Sequence, residues 1–284
     1  MHNLSHFAAA SARAIEQVGK DGFWPALHEL IFQVAGHQMT SVFVYRQNEP
    51  PVRLYDSEGG AARDELHGIL VKAGYLISPY YNGLIRTSAA SGFYHIDAVA
   101  PDAFRQSKYF EVYYGRKEVE DEGMFLCPMN DGSTIVVMVE RHKQKPRFDA
   151  TALASLQDIH SLVQTLVQQH HERSRGSSTT QEASAFRLAT ISFGSEVLSR
   201  REREVAMLML QGHSSKSAAR ELDISPETER VHRRRLYAKL GVTSHSEMFW
   251  LFLQAADYLE QSGQGDPLLA YLRHKRPDLL SEGS

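Results

Sequence analysis

LSRREREVAMLMLQGHSSKSAARELDISPETERVHRRRLYAKLGVTSHSE, residues 198–247, is the stretch from which the rest of the chain can be read. Near its middle, Ser225 can accept a hydrogen bond from the first free backbone N–H groups of a helix, and Pro226 follows where no N–H is needed. A helix is predicted to start there. Steps of three and four back from Leu240 reach Leu236, then His232 or Arg233, then Glu229, and the two leucines mark this face as turned to the protein. The opposite face carries Glu227, Arg230, Val231 and Arg234. Two arginines four residues apart with an apolar side chain between them suit a DNA major groove, because guanidinium forks pair with guanine edges and valine methyls meet a thymine methyl. Arg233, Arg235 and Lys239 lie to the flanks and suit phosphates, which hold a helix in register but specify no sequence.

The residues around this helix fit the same purpose. A short helix over 214–222 is predicted, small at Ala218 and Ala219 so that a second helix can cross closely, and joined to Ser225 by only Asp223 and Ile224. A tight connection between two helices, the second of them basic, is the helix-turn-helix plan. Ser199 and Glu202 form a capping-box pattern for a preceding helix that runs to about Gln211, with Val205, Leu208 and Met209 inward and Gly212 as its stop. Ser244 with Glu247 signals a fourth helix, followed by an apolar run, 248–253, too short to span a bilayer.

Residues 198–247 resemble the DNA-binding domain of the LuxR/NarL/GerE class of bacterial transcription regulators. The matching residues are Leu198, Arg201 to Val205, Gly212, Ser214, Lys216, Ala219, Leu222, Ile224, Ser225, Thr228, His232, Lys239, Leu240, Val242 and Ser244. The resemblance implies base-facing roles for Arg230, Val231 and Arg234. Lys216 and Thr228 join Arg233, Arg235 and Lys239 as the other DNA-contact candidates. It also implies that the fourth helix contributes to a dimer contact. Three positions depart from the family pattern: Glu229 stands where a buried valine is usual, Ser215 where asparagine is usual, and Ala218 where a larger aliphatic is usual. Either the glutamate reaches a nearby arginine, or the recognition helix is rolled relative to the family.

Charge agrees with a nucleic-acid partner for this segment alone. Residues 196–245 hold ten Lys/Arg against seven Asp/Glu, whereas the whole chain carries a net charge of −3, so the remainder is acidic and would repel DNA. A length of 284 residues accommodates two domains, each with its own core. Residues 1–11 are polar and alanine-rich, without the pattern of a secretory signal, and no apolar run reaches membrane-spanning length. A single cysteine, Cys127, excludes an intramolecular disulfide framework. A cytoplasmic, reducing setting is expected.

Residues 1–172 alternate between helical and strand patterns. Helices are expected over 8–18, 24–34, 61–76, from Pro101 to about Tyr114, and as one long exit helix over 149–171. Strands are expected over 40–46, 51–56, 93–99, 123–128 and 134–141, the last two joined by the turn signal Asn130-Asp131-Gly132. The expected fold class is therefore an α+β sensor domain, an antiparallel sheet flanked by helices on the GAF/PAS plan by analogy of pattern, followed by an all-α four-helix helix-turn-helix domain.

Two tyrosine-rich stretches, 75–82 and 104–114, suit a pocket for a small amphipathic ligand, since tyrosine pairs a flat apolar face with a hydroxyl. The ligand-contact candidates are Tyr80, Tyr81, Phe93, Asp97 and Tyr113. Acyl-homoserine-lactone sensors with this DNA-binding domain carry a tryptophan-tyrosine-aspartate-tryptophan set, but the tryptophans here are Trp24 and Trp250, which favours another metabolite. A phosphoacceptor receiver would need an acidic pair after its first strand, and none follows 40–46.

No catalytic residues, cofactor or metal are expected. Cys127 lies in an apolar strand, the fourteen histidines show no metal-ligand spacing, and no glycine-rich phosphate loop appears. The stretch 172–182, rich in Ser and Thr and without apolar periodicity, reads as a flexible linker. The organisation expected is thus a ligand-sensing domain over 1–172, a linker over 173–190, the DNA-binding domain over 191–262, and a tail over 263–284 with an extra helix and a basic Arg273-His274-Lys275-Arg276 cluster. The whole reads as a homodimeric, effector-controlled regulator of transcription that binds double-stranded DNA and no membrane. Two other readings stand beside it: an N-terminal domain that binds a protein partner, and an enzyme with a DNA-binding appendage.

Overall fold

Residues 42–45 and 135–139 are apolar on both alternating faces, which lets a strand be covered on two sides, and the two strands that contain them form the middle of a sheet. The computed structural model describes residues 2–46, 50–58, 74–116, 118–174, 192–257 and 265–281. Strands β1 (Met39–Tyr45), β2 (Val52–Asp56), β3 (Gly92–His95), β4 (Val119–Pro128) and β5 (Thr134–His142) make one antiparallel sheet in the order β2-β1-β5-β4-β3. The β4–β5 hairpin closes at Gly132, whose φ of 82° lies in the region glycine favours, while Asp131 accepts from the Ser133 N–H at 3.0 Å.

Among the described residues, five helices of nine residues or more accompany the sheet: α1 (His2–Glu16), α2 (Phe23–Ala35), α3 (Lys108–Arg116), α4 (Ala150–Asp158) and α5 (His160–Ser174). Register assigns the two faces. Val42, Val44, Phe93, Phe125, Cys127, Val137 and Val139 point to one side and share a core with α1, α2, α4 and α5. Phe43, Met124, Leu126, Val136 and Met138 point to the other, toward α3.

Several expected elements take a different form, each for a local reason. The exit helix breaks at Ile159, where the His160 ring bonds the Gln157 carbonyl at 2.7 Å and competes for an acceptor a continuous helix would use. The strand expected over 93–99 stops at His95, whose ring caps a single helical turn, Ile96–Val99, by accepting from the Asp97 N–H. The helix expected from Pro101 is a 3₁₀ turn, Phe104–Gln106, and then α3, because the Ser107 hydroxyl accepts from the Phe110 N–H and starts a new helix. Of the helix expected over 61–76, residues 61–73 lie outside the described residues, and 74–77 form a 3₁₀ turn. Of the linker expected over 173–190, Arg173 and Ser174 instead form the last two residues of α5, and 175–190 lie outside the described residues.

The C-terminal part contains α6 (Arg200–Leu210), α7 (Ser215–Glu221), α8 (Pro226–Leu240), α9 (His245–Asp257) and α10 (Pro267–Lys275). The start signals read from the sequence at Ser199, Ser225 and Ser244 are made, and Ser214 caps α7 in addition. Ser199 and Glu202 form a reciprocal capping box, Ser214 accepts from the Ser217 N–H, and Ser225 accepts from the Thr228 N–H with Pro226 at the first turn. Ala218 and Ala219 are fully buried where α7 meets α8. Helix α10 is part of this core, with Leu268 and Leu272 completely buried against the other helices, an expected stabilisation of about 1.5–3 kcal/mol each.

The two parts share a boundary. Apolar residues on the α3 side of the sheet run without a break into the core of α6 to α10. At the junction, a Cβ on Gly212 would stand 2.9 Å from the Phe104 backbone, and the Asp102 carboxylate accepts from the Ser214 N–H and hydroxyl at 3.3 and 2.7 Å.

Candidate nucleic-acid interface and ligand cavity

Helix α8 buries Glu229, Leu236 and Leu240 and turns the opposite face outward. A buried carboxylate needs a partner, and Arg233, one turn on, supplies it through Nε at 2.9 Å and Nη2 at 2.5 Å from Oε1. Of the two possibilities for Glu229, the structure thus shows the ion pair. The helix has the orientation in which Arg230, Val231 and Arg234 are exposed, Val231 being 41% accessible.

The flanking cations are not equivalent. Arg233 is committed to Glu229, and Lys239 reaches back to Glu202 at 2.7 Å, beside the capping box of α6. Lys239 and Glu202 thereby tie the end of the recognition helix to the start of the first helix, and the Lys239 ammonium with Ser199 holds the Glu202 carboxyl below its usual range against the opposing effect of burial. Arg230 stands 3.8 Å from Glu227, a loose, exposed pair. Arg234, Arg235 and Lys216 are exposed and form no ion pair among the described residues. Thr228 lies in the first turn of α8, its hydroxyl 3.0 Å from that of Ser225.

The other site is a cavity of ≈ 50 Å³ between the sheet and α3. It is walled by Phe43 and Tyr45 from β1, by Tyr75, Ser78 and Tyr80, by Tyr109, Tyr113 and Tyr114 from α3, and by Glu122, Met124 and Met138. A volume of that size holds roughly three or four waters. Tyr114 donates to the Glu122 carboxylate, and Tyr80 donates to the Glu122 carbonyl at 3.3 Å. Burial first, and then the charge of Glu122, raises the pKa of Tyr80, Tyr109, Tyr113 and Tyr114 well above the tyrosine range. Their hydroxyls stay protonated, and those of Tyr80 and Tyr114 are already committed to Glu122.

Of the five ligand candidates, Tyr80 and Tyr113 line this cavity. The other three stand elsewhere. Tyr81 stacks beside Tyr45, with ring centres 5.9 Å apart, behind the wall. Phe93 points to the opposite face of the sheet, where its ring covers Gly123 and meets Phe125, because β3 pairs Phe93 with Phe125 in that register. Asp97 is exposed and engaged by Arg105 and Arg147, a network continued by Asp121, so it is a structural anion and no cavity residue. Tyr109 and Tyr114 belong to the tyrosine-rich stretch 104–114 read as pocket-forming, whereas Tyr45 and Glu122 carry no such signal in the sequence. The signal for Glu122 was the period-two alternation with Met124 and Leu126, hidden by the charged run 120–122. Neither tryptophan reaches the cavity: Trp24 packs on Phe23 and His170, and Trp250 lies on α9 beside Phe249.

Among the described residues, no helix is long and apolar enough to cross a membrane, and no group of three His, Cys, Asp or Glu is placed to hold a metal ion.

The chain is similar to known bacterial regulators. The family model for bacterial regulatory proteins of the luxR family, GerE, matches residues 196–252. An HTH-type transcriptional regulator encoded in the exeN 3′ region of Aeromonas salmonicida is 33% identical over 154 residues, covering 51% of this chain and 79% of that protein. The transcriptional regulatory protein UhpA of Escherichia coli K12 is 27% identical over 176 residues, 56% of this chain and 89% of its own length. The crystal structure of the VqsR LBD domain from Pseudomonas aeruginosa superposes with a TM-score of 0.52 at 19% identity, covering 58% of this chain and 96% of that one, which is a likeness of fold.

Proposed function

The chain belongs to the luxR family of bacterial regulatory proteins, and from that premise we propose a regulator that reads DNA through α8 and is controlled by a small molecule held in the cavity over α3. Transcription regulation through DNA binding follows from the family. The residues that carry it are this reading's own: Arg230, Val231 and Arg234 at base edges, and Arg235, Lys216 and Thr228 at phosphates, with Arg233 and Lys239 shaping the helix from within. The observation that carries it is the exposure of the Arg230-Val231-Arg234 face while Arg233 turns inward to Glu229.

The effector reading rests on the cavity. Its walls are aromatic and apolar with a few hydroxyls and one carboxylate, the make-up of a small-molecule site. Because ≈ 50 Å³ takes only a few waters, a larger effector requires the walls to shift. Helix α3 contributes three tyrosines to the cavity and packs on α9 of the DNA-binding part, while Phe104 just before it touches Gly212. An effector that displaces α3 therefore acts on the position of the DNA-binding helices, with the division at 1–172 and 191–262 as the working boundary. The protein acts in the cytoplasm, where its DNA is, as a homodimer with one α8 per half-site, and catalyses no reaction.

Native mass spectrometry of the freshly purified chain tests the effector and the assembly together. A dimer carrying a stoichiometric small adduct, lost on Tyr113→Trp, is expected. A dimer of bare chain mass that instead captures a second protein overturns the effector reading.

A further inference from the structure

Helix α10 lies beyond the residues matched by the family model, yet it is fixed firmly to the DNA-binding part. Asp266, 4% exposed, accepts from the backbone N–H groups of Gly194, Glu196 and Leu268 at 2.8–2.9 Å, and Tyr271 donates to Gln254 of α9 at 2.9 Å. The far end of α10 therefore has a defined place. That place is the C-terminus of α8. A Cβ on Gly241, the left-handed cap of α8, would stand 2.9 Å from the Arg276 guanidinium and 3.1 Å from Leu279. Arg273, one turn before Arg276, and Lys275, next to it, are exposed and form no ion pair among the described residues, whereas Arg276 is shared with Asp278 at 3.6 Å.

Helix α8 has 15 residues, which makes it about 22 Å long. The major groove is roughly 12 Å wide, so a helix whose base-facing residues are at positions 230–234 runs out of the groove at its C-terminal end and passes the flanking sugar-phosphate strand. Of the flanking cations of α8, Lys239 is bound to Glu202 and Arg233 to Glu229, which leaves Arg235, five residues before the helix end, exposed and without an ion pair among the described residues. We propose that α10 adds a further contact: Arg273 and Lys275 clamp backbone phosphates of double-stranded DNA beside the point where α8 leaves the groove. The site is independent of base sequence, and it rests on the reading of α8 as the groove helix only for its position on the duplex.

The test uses the full chain with a fluorescein-labelled duplex of random sequence, titrated by anisotropy across a range of salt. Losing two phosphate contacts lowers the slope of log K against log salt by about 1.8, which is on the order of 50-fold in affinity at 0.1 M salt relative to 1 M. The Arg273→Ser, Lys275→Ser double variant is expected to show that loss, and Arg273→Glu, Lys275→Glu a larger one, with unchanged thermal unfolding because neither side chain is buried. Slopes and affinities equal to those of the parent chain overturn the proposal. Arg234→Ala run alongside separates it from the reading of α8: that variant loses sequence discrimination and keeps the α10 contribution to the slope.

Discussion

Substituting Arg233 by alanine asks what the buried glutamate of the recognition helix costs when left alone. Glu229 is fully buried, with Oε1 held by Arg233 and Oε2 without a hydrogen-bond partner. Breaking a buried ion pair from one side costs roughly 3–5 kcal/mol, and Arg233 is 24% exposed, so the lower edge applies and a loss of about 2–3 kcal/mol is expected. Glu229→Val acts in the opposite sense. It removes the half-satisfied carboxylate, lets Arg233 swing into water, and is expected to be neutral or stabilising by about 1 kcal/mol. In the double variant, Arg233→Ala should then cost under about 0.5 kcal/mol, giving a coupling near 2 kcal/mol. Trp250 on α9 reports the unfolding of this part by fluorescence in a Trp24→Phe background, and a loss of 2–3 kcal/mol lowers the transition by roughly 10–20 °C for a unit of this size. Equal effects of Arg233→Ala with and without Glu229 would refute the ion pair as the device that sets the orientation of α8.

Arg234→Ala should lower discrimination between a selected site and random DNA by roughly 1–3 kcal/mol, whereas Arg235→Ala should weaken both alike and reduce the salt slope by about 0.9, as anisotropy titrations would show. Burial pushes the Cys127 thiol up to about 12, so it should resist a disulfide reagent at about pH 8 in the native protein and react once unfolded. Stability of the N-terminal part should fall as pH drops from about 6.5 toward 4. Burial holds His170 down at about 4 and His37 at about 3, so both are neutral in the folded state while the unfolded chain takes up protons below about 6.5. Urea midpoints across that window should decline with acid, and His170→Gln should flatten the decline.

The helix-turn-helix part was legible because its signals are local. Ser199 with Glu202, Ser225 with Pro226, and Ser244 with Glu247 each act within four residues of their own position, and the structure makes each of these helix starts. The roles of Arg233 and Lys239 were not, since a cation on a helix flank looks the same in sequence whether it faces a phosphate or a buried glutamate. Glu202, 37 residues from Lys239, is a partner that only folding reveals. In the N-terminal part, strands with clean alternation were found, and misplaced boundaries sit where side chains override the pattern: His95 capping a turn, Ser107 opening α3, and His160 breaking the exit helix. Phe93 lies on the face of the sheet away from the cavity, and period two assigns a strand two faces without saying which one holds a cavity. Helix α10 was visible as an apolar pattern, but its seat in the core depends on Asp266 meeting backbone groups some 70 residues away in sequence.

The claim that α8 reads bases is tested most directly by selecting bound duplexes from a random library with the parent chain and with the Arg230→Ala, Arg234→Ala variant. The parent is expected to enrich one sequence made of two inverted half-sites about one helical turn apart, and the variant to bind DNA without enriching it. The same enriched sequence from both proteins would contradict the account.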